Sequence, residues 1–360
     1  MSQVLDALRP VADATRVVGQ GVEFNIADVA VDRHVRAGHG DDPALRWIGR
    51  DRSDLDDPLD FTYGSLAARS ARFAGALRQH GVAPGVAVAT LLGDVPDLYI
   101  AALGTWKARC VFTPLLPSLG AEPIAERLLL GRVAVLVTTP TLFRRAVAPI
   151  LNQLPELQLV LVCGASEDQS ARTAVGARTQ VISSGAFLRE SSGDFAAEAT
   201  DPDETATLCF TTETAGGPRA VLRTHRDVET GEQAVRIALD LHRSDTYWGT
   251  THRVTDIVGA MAAGATSIVD EADFDAARWR HILAHQHVDV LHTSPAALRL
   301  LQQDSADSDA EMFALRTVAV VAPPEPATVA WAQSFLGAPV LAAWSSTGAP
   351  GADESAWTPR

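Results

Sequence analysis

The stretch GVAPGVAVATLLGDVPDLYIAALGTWKARCVFTPLLP, residues 81–117, decides the fold class. Gly81 stops a preceding helix and Pro84-Gly85 turns the chain into Val86-Ala87-Val88-Ala89-Thr90-Leu91-Leu92, which reads as a buried strand. Asp94 stands as the cap of a helix that ends near Lys107, and Cys110-Val111-Phe112 begins the next strand. Strand, helix and strand in about 30 residues make one βαβ unit.

The same alternation continues outward in both directions. Leu66, Ser70, Phe73 and Leu77 share one helical face on the amino-terminal side. Beyond residue 117 come a helix over 122–130, a strand over 133–137, a helix through Ile150 and a strand over 157–163. Repeated short β-α cycles predict a doubly wound sheet, whose ligands bind at the carboxyl ends of the strands. Residues 189–205, RESSGDFAAEATDPDET, are acidic and poor in large apolar side chains, so they read as a linker. A second alternating region follows, with strands over 206–210, 265–269, 288–291 and 318–322 and helices over 227–241, 276–286, 296–303 and 327–336. The expected fold is α/β, with two doubly wound, mostly parallel sheets and flanking helices. Its expected parts are a first subdomain over 1–188, an acidic linker over 189–205, a second subdomain over 206–344 and a flexible tail over 345–360. Residues 304–311 read as an exposed acidic loop.

Composition narrows the function classes. At 360 residues and 47% hydrophobic content the chain is long and apolar enough for a substantial core. A formal charge of −14 opposes binding to a nucleic-acid backbone, which needs a basic face. No apolar run approaches the roughly 20 residues of a membrane span, and the MSQVLDALRP start lacks a signal-peptide layout, so a cytoplasmic protein without membrane association is expected. Cys110, Cys163 and Cys209 lie in apolar strand-like runs and read as reduced, buried residues.

One turn has chemical character. Phe210-Thr211-Thr212-Glu213-Thr214-Ala215-Gly216-Gly217-Pro218-Arg219-Ala220-Val221 follows a strand and is read as preceding a helix. Hydroxyls and main-chain amides at such a turn can wrap a phosphate, aided by the positive end of the helix, although a Gly-Pro turn with Thr caps has the same composition.

The segment resembles the Tyr-Thr-Ser-Gly-Thr-Thr-Gly-Lys-Pro-Lys-Gly phosphate loop of the adenylate-forming, AMP-dependent synthetase family. Other segments agree with it in family order, and they are closest to acetyl-CoA synthetases. They are Phe24-Asn25-Ile26-Ala27-Asp28 with Asp32-Arg33-His34, Phe61-Thr62-Tyr63, residues 94–117, Asp245-Thr246-Tyr247-Trp248, Thr293-Ser294-Pro295-Ala296-Ala297-Leu298-Arg299 and Leu315-Arg316-Thr317-Val318. The resemblance implies the two-sheet fold of the family's amino-terminal domain. Thr211, Thr212, Thr214, Gly216, Gly217, Pro218, Arg219, Pro324 and Thr347 are what it leaves of an ATP/AMP site, and Trp344 and Ser345 of an acyl pocket.

The departures are chemical. Glu213 stands where the family has a flexible glycine and Gly217 where it has a phosphate-neutralising lysine, while Arg219 takes the place of a second lysine. The adenine-side Gly-Glu-Pro falls on Ala322-Pro323-Pro324, and the magnesium-binding glutamate falls on Gly348. Ser345 replaces the second tryptophan that closes a small acyl pocket, and the chain is several residues short between Trp248 and Gly264. The ribose-binding aspartate, the hinge and the mobile lysine-bearing domain of the family have no counterpart before Arg360. No catalytic residue of the family is intact by this reading, and Glu213, Gly217 and Gly348 disfavour ATP, AMP and magnesium as ligands.

His281, His285, His287 and His292 form a local histidine cluster, best read as helix packing because no acidic third metal ligand adjoins them. His225 sits just beyond the loop, as a histidine often does in the family, in a helix-start or catalytic role. Charges over residues 51–57 read as a solvated face. Three functions follow as expectations. The first is a pseudoenzyme that binds an acyl group, a nucleotide or a protein partner, and the second is a specialised carboxylate-activating ligase with a rebuilt site or a complementing subunit. The third is a structural subunit of a homo- or hetero-oligomer.

Overall fold

The computed structural model describes residues 24–164, 173–175, 179–211, 217–251, 254–304 and 313–342. These residues divide into two compact units, 24–29 with 66–228 and 30–65 with 229–342. The strands in chain order are β1 (Pro43–Ile48), β2 (Leu59–Thr62), β3 (Ala87–Leu91), β4 (Val111–Leu115), β5 (Val135–Thr138), β6 (Leu159–Val162), β7 (Thr173–Val175) and β8 (Thr179–Ser183). They continue as β9 (Thr205–Thr211), β10 (Arg219–Thr224), β11 (Thr246–Gly249), β12 (Thr266–Asp270), β13 (Val290–Thr293), β14 (Thr317–Val320) and β15 (Val340–Ala342).

In the first unit the sheet order is β10-β9-β4-β3-β5-β6-β8-β7. The central strands pair in parallel, and β10 and β7 pair antiparallel at the two edges. Helix α1 (Tyr63–Gln79), whose Leu66, Ser70, Phe73 and Leu77 are buried as their spacing requires, enters this unit at residue 66. Helix α2 (Pro96–Lys107) joins β3 to β4 and α3 (Ala121–Leu130) joins β4 to β5. Gly104 of α2 lies against α1, because a Cβ there would meet the Phe73 side chain at 2.6 Å and the Ser70 carbonyl oxygen at 2.9 Å. The cap position of α2 is Val95 rather than Asp94, with Pro96 at the first helical position. The expected helix through Ile150 is instead a short turn over Pro140–Leu142, a wider π-type turn over Phe143–Val147 and a 3-10 turn over Ala148–Gln153. Pro149 explains the break, since it has no amide to donate to the helical ladder.

In the second unit the order is β15-β14-β13-β11-β12-β1-β2, parallel except for β2. Helices α6 (Val254–Ala263), α7 (Ala276–His285), α8 (Pro295–Asp304) and α9 (Pro326–Phe335) connect or flank its strands. These follow α4 (Ser184–Arg189) and α5 (His225–Ala238). The core gathers around Trp248, Trp279 and Leu291, with the Trp248 and Trp279 rings 4.9 Å apart.

Both mostly parallel sheets and their flanking helices are as the alternation predicts. The division of the chain differs from the expected boundaries. Residues 206–228 belong to the first unit because β9 pairs with β4, and 30–65 belong to the second because β1 pairs with β12. Residues 189–205 stay inside the first unit. Arg78 and Arg109 hold Glu198 and Glu204 through two-pronged ion pairs, His80 contacts Glu190 at 2.7 Å, and Arg226 pairs with Asp203 at 3.0 Å. Cys110 and Cys163 are buried and Cys209 only half-buried, since β9 lies next to the edge strand; all three are free thiols. Among the described residues no helix is long and apolar enough to cross a membrane.

Candidate functional site

The predicted phosphate loop closes a hairpin. β9 and β10 are antiparallel, with Thr211 opposite Arg219, Phe210 opposite Ala220 and Cys209 opposite Val221. This corrects the expected strand-turn-helix context, because α5 begins at His225, only after the whole of β10. Its amino end therefore gives the turn no direct run of helix-start amides. Val221, Thr224 and the apolar residues between the two arginines suit a strand, which is why the chain returns beside β9.

At the mouth of the hairpin Gly217 and Arg219 are exposed and Pro218 is half-buried. Among the described residues a Cβ built on Gly217 meets nothing within 4 Å. Thr212, Glu213, Thr214 and Gly216 lie outside the described residues, as do Trp344, Ser345, Thr347 and Gly348. Pro324 is half-buried in the turn between β14 and α9, next to Glu325 at the helix cap.

His225 starts α5. Its backbone amide donates to the Glu204 carbonyl oxygen at 2.9 Å, and its ring meets Phe24 edge-on at 6.2 Å. Among the described residues its Nδ1 has no hydrogen-bond partner. Burial lowers its pKa to about 4, with Glu204 opposing the shift and Arg109 reinforcing it, so the ring is neutral near pH 7. At the helix start it is the backbone amide of His225, not the ring, that makes the hydrogen bond.

In the second unit the carboxyl ends of β11 and β13 carry a polar set that motif reading did not single out as a site. The Tyr247 hydroxyl lies 2.7 Å from Nδ1 of His292, and the Thr250 hydroxyl donates to that of Thr293 at 2.8 Å. Tyr247 is 0% and His292 1% exposed. Gly249, opposite His292, leaves room for the Tyr247 ring, since a Cβ there would meet the ring carbon Cε1 at 2.8 Å. The signal in the sequence was that the Tyr247-Trp248-Gly249 and His292-Thr293 segments each end a strand, where open α/β sheets place ligands.

The structure separates the four histidines. His281 and His285 stack on α7 with centroids 4.1 Å apart, and His281 reaches Asp56 at 3.0 Å. His287 is exposed beyond the helix, while His292 is buried with Tyr247. Among the described residues no group of three His, Cys, Asp or Glu side chains could hold a metal ion. Residues 51–57 do more than coat a surface, because the Asp54 carboxylate accepts from the Asp51 amide at 3.0 Å and Leu55 is buried.

Residues 31–353 match the family described as AMP-binding enzyme. Acetyl-coenzyme A synthetase of Bacillus subtilis is 26% identical over 335 residues, covering 90% of this chain and 56% of the relative. The Methanothrix thermoacetophila acetyl-coenzyme A synthetase is 24% identical over 352 residues, covering 91% and 52%. The chain thus spans about half the length of the curated relatives it matches. The crystal structure of Brucella canis acyl-CoA synthetase superposes with a TM-score of 0.76 at 22% identity, over 93% of this chain and 60% of that one, which fixes the fold. With the matched region covering most of its residues, this chain belongs to the AMP-binding enzyme family.

Proposed function

We propose that this chain is an acyl-CoA synthetase-like domain acting as a ligand-binding or partner-binding pseudoenzyme, which does not complete adenylation and thioester formation by itself. The observation that carries this reading is the hairpin loop. Its closing pair, Thr211 opposite Arg219, keeps the frame, while Glu213 and Gly217 reverse the electrostatics. A carboxylate about 4 Å from a phosphate charge costs on the order of 4 kcal/mol at an effective dielectric near 20. Gly348 in place of a magnesium-binding carboxylate weakens the site further. An acyl group, or a partner protein, is then the better candidate ligand than a magnesium nucleotide. Carboxylate-dependent exchange of pyrophosphate into ATP tests this directly: the purified chain is expected to give none, and measurable exchange would overturn the reading.

A second reading has its own support. Arg219 remains exposed at the loop mouth, opposite Thr211. This retained cation suits a specialised ligase with a rebuilt site or a complementing subunit. Calorimetry detecting no ATP, AMP or acyl-adenylate binding at millimolar concentration would remove it.

A further inference from the structure

Of the 30 lysine and arginine residues in this chain Lys107 is the single lysine, and it is buried. It ends α2, with 1% of its surface exposed, and its Nζ donates to the Ala67 carbonyl oxygen at 3.1 Å. The end of the helix that carries it is tied down as well. Its own carbonyl oxygen accepts from the Glu198 amide at 2.9 Å, and Glu198 is gripped in turn by Arg78. Beside it, the carbonyl oxygen of Trp106 accepts from Asn25 at 2.7 Å, and the Trp106 indole donates to Ala206 at 2.9 Å. With the side chain buried and Nζ held on Ala67 of α1, reaching the amine requires a local opening of the first unit. Every other basic side chain is Arg or His, and a guanidinium stays protonated and resists acylation under conditions where a free amine reacts.

We propose that Lys107 is a cryptic acyl-acceptor site, closed in the native fold and open only when the first unit opens, so that acylation there marks and traps the opened chain. The donor class is an activated acyl compound, a thioester or active ester. The neutral Nζ attacks the carbonyl carbon and an amide C–N bond forms. The bond from that carbon to the sulfur or oxygen of the leaving group breaks, and the leaving group departs with the proton that nitrogen gives up. The product has lost its charge and two donor hydrogens and has gained bulk where the fold leaves no room, so it cannot dock again as before. This device is independent of whether the chain activates carboxylates.

The test is acetylation by an N-hydroxysuccinimide ester at pH 8.5, read by mass spectrometry of the peptide holding residue 107. Arg50→Lys, at an exposed position, supplies a reference amine in the same molecule. In native buffer Lys107 is expected to label at least about 100-fold more slowly than the lysine at position 50, and in unfolding concentrations of urea at a similar rate. Native labelling less than about 100-fold protected overturns the proposal, as does protection that survives urea. Lys107→Arg, assayed in urea and so independent of folding, is expected to abolish the label on that peptide; a label that persists would place the reactive group elsewhere.

Discussion

The hairpin mouth of the first unit and the strand ends of the second treat polar groups in opposite ways. At the mouth Gly217 and Arg219 are exposed, and the chemistry rests on charges that solvent and ligand both feel. At the ends of β11 and β13 the polar groups are buried and spent on one another, Tyr247 with His292 and Thr250 with Thr293. Substitution at the mouth should therefore change binding and leave stability nearly untouched. At the buried pairs it should change stability first.

The largest effect is expected at the mouth. Glu213→Gly with Gly217→Lys removes a repulsion of about 4 kcal/mol and adds an attraction, so ATP affinity measured by calorimetry should rise by about 100-fold or more. Among the described residues nothing crowds a Cβ at position 217, and the stability measured by urea unfolding should move by no more than about 0.5 kcal/mol. Unchanged affinity would mean that the loop backbone itself differs from a phosphate loop.

Acidification comes next, and it strikes both units. Burial lowers the pKa of His225 to about 4, and burial assisted by Arg33 and Arg243 lowers that of His34 to about 4. Both start from 6.5 in the unfolded chain, so the unfolded state binds more protons below that value. Their stabilisation is complete above pH 6.5 and is lost as the pH falls toward 4, on the order of 3 kcal/mol for each ring. Urea titrations at pH 7 and pH 5 should show the loss, and His225→Gln should flatten part of the slope. A flat profile over that range would contradict the buried, neutral state of both rings.

Smaller effects separate partner loss from simple packing. Tyr247→Phe leaves a buried imidazole nitrogen without this partner and is expected to cost about 1–3 kcal/mol in thermal or urea unfolding. Adding His292→Leu should recover part of that cost, and strict additivity would show that the pair is not coupled. His287, at φ 50°, holds a left-handed backbone that favours glycine, so His287→Gly should raise stability by up to about 1 kcal/mol. A loss there would mean that the imidazole makes a compensating contact.

Much of the fold was legible because the periodicities are local. The strands over 87–91, 111–115 and 266–270 and the helix over 276–285 fall within a few residues of where their apolar spacing puts them. β1 and β2 escaped notice since their Pro43, Arg46 and Asp60 blur the alternation, and pairing with β12 completes them. The hairpin was misread for a related reason. Arg219-Ala220-Val221-Leu222-Arg223-Thr224 fits a strand or the approach to a helix, and only the neighbouring β9 decides between them.

By itself the sequence determined the class of fold, the family, the chemical departures at Glu213, Gly217 and Gly348, and the presence of a single lysine. Those properties reside in residue identity and short spacing, which need no partner to be read. Tertiary structure alone decided that the acidic residues 189–205 are clasped by Arg78, His80, Arg109 and Arg226, and that Tyr247 meets His292. It also decided that Lys107 is buried with its Nζ on the Ala67 carbonyl oxygen. The reason is physical: a charge or a hydroxyl carries no record of its partner until the sheet brings together residues dozens to more than a hundred positions apart.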